Sequence, residues 1–430
     1  MLFVKNKVVR NAAWIIACKV VQAFLQLVIT MLTARYLGPS NYGVINYAAS
    51  VIAFAVPVMQ LGVRNTLVQE LVAAPDSKGK TLGTSLVMNL VSAIFCMIGI
   101  TAFSMVANAG EKETIIVCVL YSFCLLFQSV EVVQYWFQEK LESKYVAITM
   151  LIAYIASAAY QTYLLVTYKN IYWFAVSQSV QHIIIAGLLL VFYHRQGGEK
   201  LTVSLKCACE LFSRSKYYIL SNMMVTVFAQ TDRVMLKLMV NDAVTGYYSA
   251  AVNCANMTNF IFLAIIDSAR PPIFQSKQAG DRTKYEQGLV KLYSVIIYMS
   301  VAQCIAMTVF AKLIIHILYG ASYYPAVAAL QVAVWYTSFA HVGLVRDIWI
   351  LAEGKQSILW KINILGAMAN VVLNFVLIPY CGMMGAAIAS LITQALTNVG
   401  MSAMFKSIRY SNKLMLRGCN LSVLFKNKLT

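Results

Sequence analysis

The chain has 430 residues, of which 60% are hydrophobic and only 12% are charged, and its formal net charge is +18 at pH 7. Soluble domains carry about 25% charged residues, so a soluble protein of this composition would need one very large apolar core, and the length of the apolar segments decides against that. The excess of Lys and Arg does not indicate a nucleic-acid partner, because it follows the pattern of a membrane topology.

Long apolar segments follow one another along the whole chain. Residues 89–108, 145–168 and 385–405, for example, contain no Asp, Glu, Lys or Arg. About 20 apolar residues at a helical rise of about 1.5 Å per residue cover the core of a bilayer. We therefore predict an all-α integral membrane protein with about twelve transmembrane helices. Their predicted positions are 11–33, 44–67, 82–107, 114–137, 146–167, 171–193, 216–240, 246–269, 289–311, 326–352, 357–378 and 384–405.

The basic residues are distributed unevenly between the two predicted sides of the membrane. Most of the 34 Lys and Arg residues lie in the N-terminal stub, in alternate loops and in the tail after residue 405. Lys and Arg accumulate in cytoplasmic loops, so we expect both termini to be cytoplasmic. The loops of the opposite side hold only Arg35, Lys112, Lys169, Lys237 and Lys312.

Two similar stretches indicate that the chain consists of two halves. ARYLGPSNYGVINYAAS at 34–50 is similar to LKLMVNDAVTGYYSAAV at 236–252, and each follows an odd-numbered predicted helix. The halves would then have the same orientation, as in transporters that move two bundles about a central cavity. The sequence predicts an N-terminal six-helix lobe (1–193), a cytoplasmic linker loop (194–215), a C-terminal six-helix lobe (216–405) and a basic cytoplasmic tail (406–430).

Ionisable residues inside the predicted helices are the main functional candidates, because charge is costly in hydrocarbon. Lys19, Arg233 and Arg346 are candidate cations of a substrate-binding cavity, where Arg could bind phosphate oxygens through two hydrogen bonds. Each could instead form a structural ion pair with a neighbouring helix. Asp232 and Asp347 are candidates for ion coupling or for bracing helices. Adjacent residues of a helix do not face each other, so we expect these carboxylates to have their own partners.

Four further charged residues lie near the predicted cytoplasmic ends of helices. Arg64 and Arg270 could line a polar vestibule or could extend to the lipid head groups. Glu131 and Asp267 are candidates for coupling or bracing, because a carboxylate shielded from water can serve as a protonatable switch. Asn residues inside helices could bond between helices or line a wet cavity; they include Asn253, Asn256, Asn370 and Asn374.

The common catalytic motifs are absent from the sequence. It contains no P-loop, no G-x-S-x-G, no H-E-x-x-H and no D-x-D, so we predict that the protein is not an enzyme. His182 and His341 are single residues without ligand spacing, and the C-x-C pair Cys207 and Cys209 has no further ligand nearby. We predict no metal site and no cofactor.

Three stretches resemble the polysaccharide-transporter family of bacterial flippases. They are ARYLGPSNYGVINYAAS after the first helix, TDRVMLKLMVNDAVTGYYSAA around the seventh and IPYCGMMGAAIASLITQ at the twelfth. That family belongs to the multidrug/oligosaccharidyl-lipid/polysaccharide (MOP) exporter superfamily, and the resemblance covers the whole chain. It implies two pseudo-symmetric six-helix lobes of MOP or MATE type, a cationic central cavity and alternating access. Lys19, Arg233 and Arg346 fit that cavity by position only.

The resemblance and the composition together predict a flippase of the bacterial cytoplasmic (inner) membrane. Its cargo would be an undecaprenyl-pyrophosphate-linked oligosaccharide repeat unit for O-antigen or capsule biosynthesis. Membrane lipids, a glycan polymerase and a chain-length regulator are candidate partners, and a proton or sodium gradient could supply the energy.

Two alternatives remain open. A cation-coupled multidrug exporter of MATE type should have an acidic cavity, whereas the mid-helix charges here are more often basic. A membrane-embedded glycan polymerase or ligase should have a large outer loop, and the predicted outer loops are short.

Overall fold

The computed structural model describes the backbone of residues 2–73 and 77–420 and the side chains of residues 22, 25–64, 66–73 and 77–420. Over this part of the chain the protein is helical and has no strand. It forms two compact units, Met1–Gln230 and Thr231–Thr430. One long helix, α9 (Leu205–Met239), contributes its residues up to Gln230 to the first unit and the rest to the second.

The first unit consists of long helices joined by short connections. They are α1 (Leu2–Met59), α2 (Leu67–Ala73), α3 (Lys78–Ala107), α4 (Lys112–Ser122), α5 (Cys124–Gln128), α6 (Gln134–Glu139), α7 (Ser143–Val166), α8 (Ile171–Arg195) and α9 (Leu205–Met239). Short 3₁₀ turns at Val63–Asn65 and Ser129–Val133 complete it.

The second unit also consists of helices joined by short connections. Its helices are α10 (Asp242–Asn256), α11 (Asn259–Gln278), α12 (Arg282–Val309), α13 (Ala311–Tyr319), α14 (Ala326–Ala352), α15 (Leu359–Ala395), α16 (Met401–Met404) and α17 (Arg409–Gly418). A π-helical turn, Leu396–Gly400, joins α15 to α16.

Both repeated stretches interrupt the helical path at the same place. In α1, Gly38 has φ 72° and ψ 171°, which side chains with a Cβ rarely adopt, and Pro39 follows it. In the second stretch, α9 ends at Met239, and the Asn241 side chain caps α10 by accepting from the Val244 N–H at 2.9 Å. Gly38 and Asn241 are equivalent when the stretches are aligned, so the repeat marks a matching break.

Side-chain contacts show how the part of α1 after Gly38 runs along α3. Tyr47, beyond the break, donates from its hydroxyl to Asn108 Oδ1 at 2.9 Å, just after α3. Farther along the same segment, Val58 O accepts from the Ser92 hydroxyl at 3.1 Å, in the middle of α3. The segment after Gly38 therefore runs antiparallel to α3, as expected of a second membrane-spanning helix.

Nine helices in the described ranges are long and apolar enough to cross a membrane. Two of these contain a break, at Gly38 and at Gly382. In addition, α9 occupies the position of the seventh predicted helix, although its charged residues make it less apolar than the nine. Counting both sides of each break, these segments correspond to the twelve predicted ones, and the protein is a multi-pass membrane protein. The nine are Leu25–Met59, Lys78–Ala107, Lys112–Glu139, Ser143–Val166, Ile171–Arg195, Asp242–Gln278, Arg282–Val309, Ala326–Ala352 and Gln356–Met404.

The connection between α8 and α9 packs against the start of α3. Glu199 Oε2 accepts from the Gly79 backbone N–H at 2.7 Å, so its carboxylate satisfies a donor of the first helical turn. The connection is shorter than the predicted loop 194–215, because α9 begins at Leu205 rather than at 216. The difference arises because residues 205–215 are helical although they carry Lys206, Glu210 and Arg214, which are typical of a loop beside a membrane segment.

This packing leads to a stability prediction for two glycines of α3. A Cβ at Gly83 would lie 2.5 Å from the backbone oxygen of Thr202, whereas a Cβ at Gly99 would meet nothing within 4 Å. Gly83→Ala should therefore lower the free energy of unfolding by about 1–3 kcal/mol. The matched control Gly99→Ala should be neutral or stabilising by up to about 1 kcal/mol. Thermal unfolding in detergent tests this, and equal melting temperatures would contradict it.

The C-terminal helix α17 packs along α12 in the second unit. The Ser294 hydroxyl donates to Gly418 O at 2.5 Å, and the hydroxyls of Tyr293 and Ser411 lie 3.0 Å apart. A Cβ on Gly418 would lie 2.7 Å from the Tyr293 Cβ, so this close approach requires glycine. Part of the predicted tail 406–430 is thus a packed helix.

Candidate functional site

A buried carboxylate in the second unit is the best-defined polar site. Asp232, near the end of α9, is 7% exposed and accepts hydrogen bonds from three uncharged side chains. The Tyr248 hydroxyl of α10 donates to Oδ2. From α15, Asn374 Nδ2 donates to Oδ1 at 2.6 Å and the Ser390 hydroxyl donates to Oδ2 at 2.5 Å. These bonds offset the loss of water around the carboxylate and connect three helices.

The polar groups around Asp232 have unused hydrogen-bonding capacity. Asn374 Oδ1 and Asn370 Nδ2 are both buried without a partner, although Asn374 Nδ2 also donates to Asn370 Oδ1 at 3.1 Å. Carboxylate, amide and hydroxyl oxygens are ligands that hard cations prefer. The described residues contain no group of three or more His, Cys, Asp or Glu that could hold a metal ion. The cluster thus combines one carboxylate with amide and hydroxyl groups.

Arg346 of α14 is engaged by its own unit. It is 4% exposed, and its Nη1 donates to the Thr397 backbone oxygen at 2.6 Å. Its Nε and Nη2 both donate to Asp347 Oδ1, at 3.1 and 2.8 Å. Thr397 lies in the π-helical turn, where the widened backbone leaves a carbonyl available to such a donor. The expectation that Asp347 has a partner of its own is wrong, because Asp347 pairs with the adjacent Arg346 of the same helix. The contact that joins α14 to the π-helical turn is made by Arg346.

A row of Asn side chains runs along α10 and the start of α11. They are spaced three residues apart, so they lie on one side of the helical path. Each bonds to a polar side chain of another helix: Asn253 Oδ1 accepts from Arg233 Nη2 (3.2 Å), Asn256 Nδ2 donates to the Tyr336 hydroxyl (3.0 Å), and Asn259 Oδ1 lies 3.1 Å from His341 Nε2.

Among the side chains that the structure describes in the first unit, Glu131 and His182 form a carboxylate–imidazole pair. Glu131 lies in the 3₁₀ turn Ser129–Val133, and its Oε1 is 2.6 Å from His182 Nδ1 of α8. Both side chains are mostly buried, with 14% and 16% exposed. A 3₁₀ turn inside a helical path often marks a hinge. In the sequence His182 is a single histidine without ligand spacing, and its contact with Glu131 depends on how α8 packs against this turn.

The remaining predicted residues lie in less enclosed surroundings. Arg64 is exposed in the 3₁₀ turn Val63–Asn65. Asp267 and Arg270 form an ion pair of 3.3 Å, with 61% and 44% of their side chains exposed. Lys19 belongs to α1, but its side chain lies outside the described residues. The functional roles of all these residues stay predictions.

One buried ion pair was missed. Lys237, predicted in an outer loop, lies in α9 with 3% of its side chain exposed, and its Nζ is 2.6 Å from Asp242 Oδ1. Asp242 opens α10, immediately after the break at Asn241. The sequence did carry a signal for this pair: Lys237 and Asp242 have opposite charges and are five residues apart, on either side of a helix break.

The sequence matches a known family and two relatives. The model of the family described as "Polysaccharide biosynthesis protein" matches residues 8–278. An uncharacterized membrane protein of Methanocaldococcus jannaschii is 27% identical over 217 residues, which are 49% of this chain and 42% of that protein. The chain thus spans less than half the length of that relative. A protein of Escherichia coli strain K12 named "Putative O-antigen transporter" is 21% identical over 413 residues, which are 94% of this chain and 97% of that protein.

Solved structures share the fold. An inward-facing multidrug resistance MATE family transporter of the MOP superfamily superposes with a TM-score of 0.70 at 10% identity, over 95% of this chain and 96% of that one. The lipid II flippase MurJ, in an inward closed conformation, also gives 0.70 at 14% identity, over 95% and 91%. The predicted MOP-type helical fold is therefore confirmed.

The family and these neighbours are transporters rather than enzymes, as the sequence predicted. The sidedness of the termini stays a prediction. Because the family model matches well over half of the chain, this protein belongs to the polysaccharide biosynthesis protein family.

Proposed function

We propose that this protein moves undecaprenyl-pyrophosphate-linked oligosaccharide repeat units across the cytoplasmic membrane by alternating access, for O-antigen or capsule biosynthesis. The observation that carries the proposal is the similarity to the Escherichia coli protein named as an O-antigen transporter, which covers 94% of this chain. Family membership and the MOP-type fold support a carrier that needs no catalytic residues. A glycan polymerase and a chain-length regulator are proposed partners on the same grounds.

The chemistry of such a cargo fits the polar groups inside the helices. A pyrophosphate and a chain of sugars cannot cross hydrocarbon unless protein groups replace their water. Arg233, which is half-buried, is a candidate for phosphate binding, and the Asn row offers donors and acceptors to sugar hydroxyls. The prenyl tail would stay in the lipid.

Asp232 is the proposed site of ion coupling. Its carboxylate and the unpartnered Asn374 oxygen form a dry cluster at the meeting point of three helices. Uptake or release of a proton or a sodium ion there would change the hydrogen bonds that connect α9, α10 and α15. A binding event with different free energies in two states shifts the equilibrium between them, which is what coupling requires.

Lys19 remains a candidate for a cation that faces the cargo. Lys19→Glu should abolish complementation of a deletion strain while leaving the protein level normal, because a carboxylate would repel the pyrophosphate. Lys19→Arg, which retains the charge, is the matched control and should complement. Full complementation by Lys19→Glu would remove this residue from the proposal.

Deletion of the gene tests the proposed cargo. Surface polysaccharide should disappear, and undecaprenyl-linked repeat units should accumulate with their sugars facing the cytoplasm. Lipid extraction with mass spectrometry, combined with glycan staining, measures both. Persistent surface glycan without accumulated intermediate would refute the proposed cargo. Unchanged glycan together with increased sensitivity to cationic drugs would favour the multidrug exporter instead.

A further inference from the structure

A pocket of about 330 Å³ lies within the second unit, apart from the Asp232 cluster. The turn between α11 and α12, the end of α14 and the start of α17 form its walls. Its volume falls in the range of about 300–1,000 Å³ that is common for small-molecule sites. None of the residues that line it was a candidate in the sequence analysis.

Cationic side chains and aromatic rings alternate around the pocket. This combination is frequent where a membrane protein meets the lipid head groups, because each of these side chains has an apolar body and a polar tip. Three such pairs are present: Lys277 Nζ lies 5.0 Å from the ring centre of Tyr285, Lys355 Nζ lies 4.9 Å from that of Trp349, and the Arg282 guanidinium lies 6.0 Å from that of Tyr410.

The cations of the pocket outnumber its carboxylates. Glu353 pairs with Lys277 at 2.6 Å, and Glu286 pairs with Arg282 at 2.9 Å. Lys355 has no carboxylate within ion-pair distance among the described residues, and its Nζ donates to a backbone oxygen at 2.7 Å. The pocket therefore keeps a positive charge with donor capacity to spare, and both carboxylates are already neutralised.

One wall of the pocket is a buried tyrosine. Tyr285 is 3% exposed, and its hydroxyl lies beside the Glu353 carboxylate, which also pairs with Lys277. An oxygen anion in the pocket would therefore accept from the Lys355 ammonium rather than from this hydroxyl.

We infer that this pocket binds a phosphate group, and that the phosphate belongs to the head group of an anionic membrane lipid. Basic pockets at the ends of membrane helices bind such head groups. The interfacial aromatic residues favour a lipid over free phosphate, because Trp349 and Tyr410 offer apolar surface beside the charge. The bound lipid would connect α11, α12, α14 and α17. This inference does not depend on the proposed cargo.

Native mass spectrometry of the purified full-length protein tests the inference. Phosphatidylglycerol, phosphatidylcholine and inorganic phosphate are added separately, and retained molecules are counted. Phosphatidylglycerol should bind in preference to phosphatidylcholine. Lys355→Gln should lower the affinity for phosphatidylglycerol about tenfold, as expected for the loss of one charge-assisted hydrogen bond. Arg282→Gln, at a more exposed wall position, should weaken it as well. The matched control is Lys361→Gln, because that ammonium lies over Trp360 at 5.7 Å but outside the pocket.

The inference is supported if Lys355→Gln and Arg282→Gln retain less bound phosphatidylglycerol than the wild-type protein while Lys361→Gln retains as much. Binding of inorganic phosphate that displaces the lipid would support the phosphate site but overturn the lipid as its occupant. Equal retention by all variants, or equal loss in Lys361→Gln, would overturn the site itself.

Discussion

Asp232→Asn should reduce translocation by about 10- to 100-fold, as expected for the loss of an interaction worth about 1.5–3 kcal/mol at a charged group. Asn has nearly the same shape as Asp, and the hydroxyls of Tyr248 and Ser390 can rotate to accept as well as to donate. The variant should therefore fold and reach normal levels. What it loses is the negative charge that takes up a proton or a sodium ion.

Ser390→Ala provides the matched control for Asp232→Asn. It removes one donor to the same carboxylate, the 2.5 Å bond to Oδ2, but leaves the charge in place. We expect a loss of about 1–2 kcal/mol in the free energy of unfolding with little change in translocation. Complementation, protein level and melting temperature measure the two variants together. Wild-type translocation by Asp232→Asn would show that Asp232 only braces the helices.

Arg346→Met should destabilise the second unit by about 2–4 kcal/mol. The change leaves the Thr397 carbonyl without its donor and leaves Asp347 without its counter-ion. This expected loss in the free energy of unfolding is smaller than that for breaking a fully buried ion pair, because 34% of the Asp347 side chain is exposed. Thermal or denaturant unfolding of the purified protein measures the loss.

Arg346→Lys distinguishes bracing from cargo binding. A Lys ammonium can replace only one of the contacts that the planar guanidinium makes, so we expect less than half of the lost stability to return. A cation that merely attracts a phosphate would be replaced well by Lys. Full stability of Arg346→Met combined with loss of translocation would contradict the bracing role and restore Arg346 as a cargo cation.

The helical architecture could be predicted because the bilayer determines it. Backbone groups must be satisfied within each segment, so spans appear in the sequence as long apolar runs, and Gly38 with Pro39 marks a reversal. The start of α9 was placed too late because its first turns carry Lys206, Glu210 and Arg214, and charged residues at the end of a membrane helix resemble a loop.

The polar clusters could be predicted only in part. Asp232 was identifiable as a costly charge inside a helix, but two of its partners, Asn374 and Ser390, are 142 and 158 positions away. Such pairings depend on how the helices pack, which hydropathy does not report. The Thr397 carbonyl that receives Arg346 depends on a π-helical turn, for which the sequence carries no signal.

Translocation in proteoliposomes is the most direct test of the proposed function. Purified protein is reconstituted with an undecaprenyl-pyrophosphate oligosaccharide, and a sugar-specific lectin added outside reports how fast inner-leaflet sugars become accessible. Wild-type vesicles should expose the sugars faster than protein-free vesicles, and Asp232→Asn vesicles should be slowed toward the protein-free rate. Equal rates in wild-type and protein-free vesicles, with a proton or sodium gradient imposed, would contradict the assignment of this protein as a flippase for lipid-linked oligosaccharides.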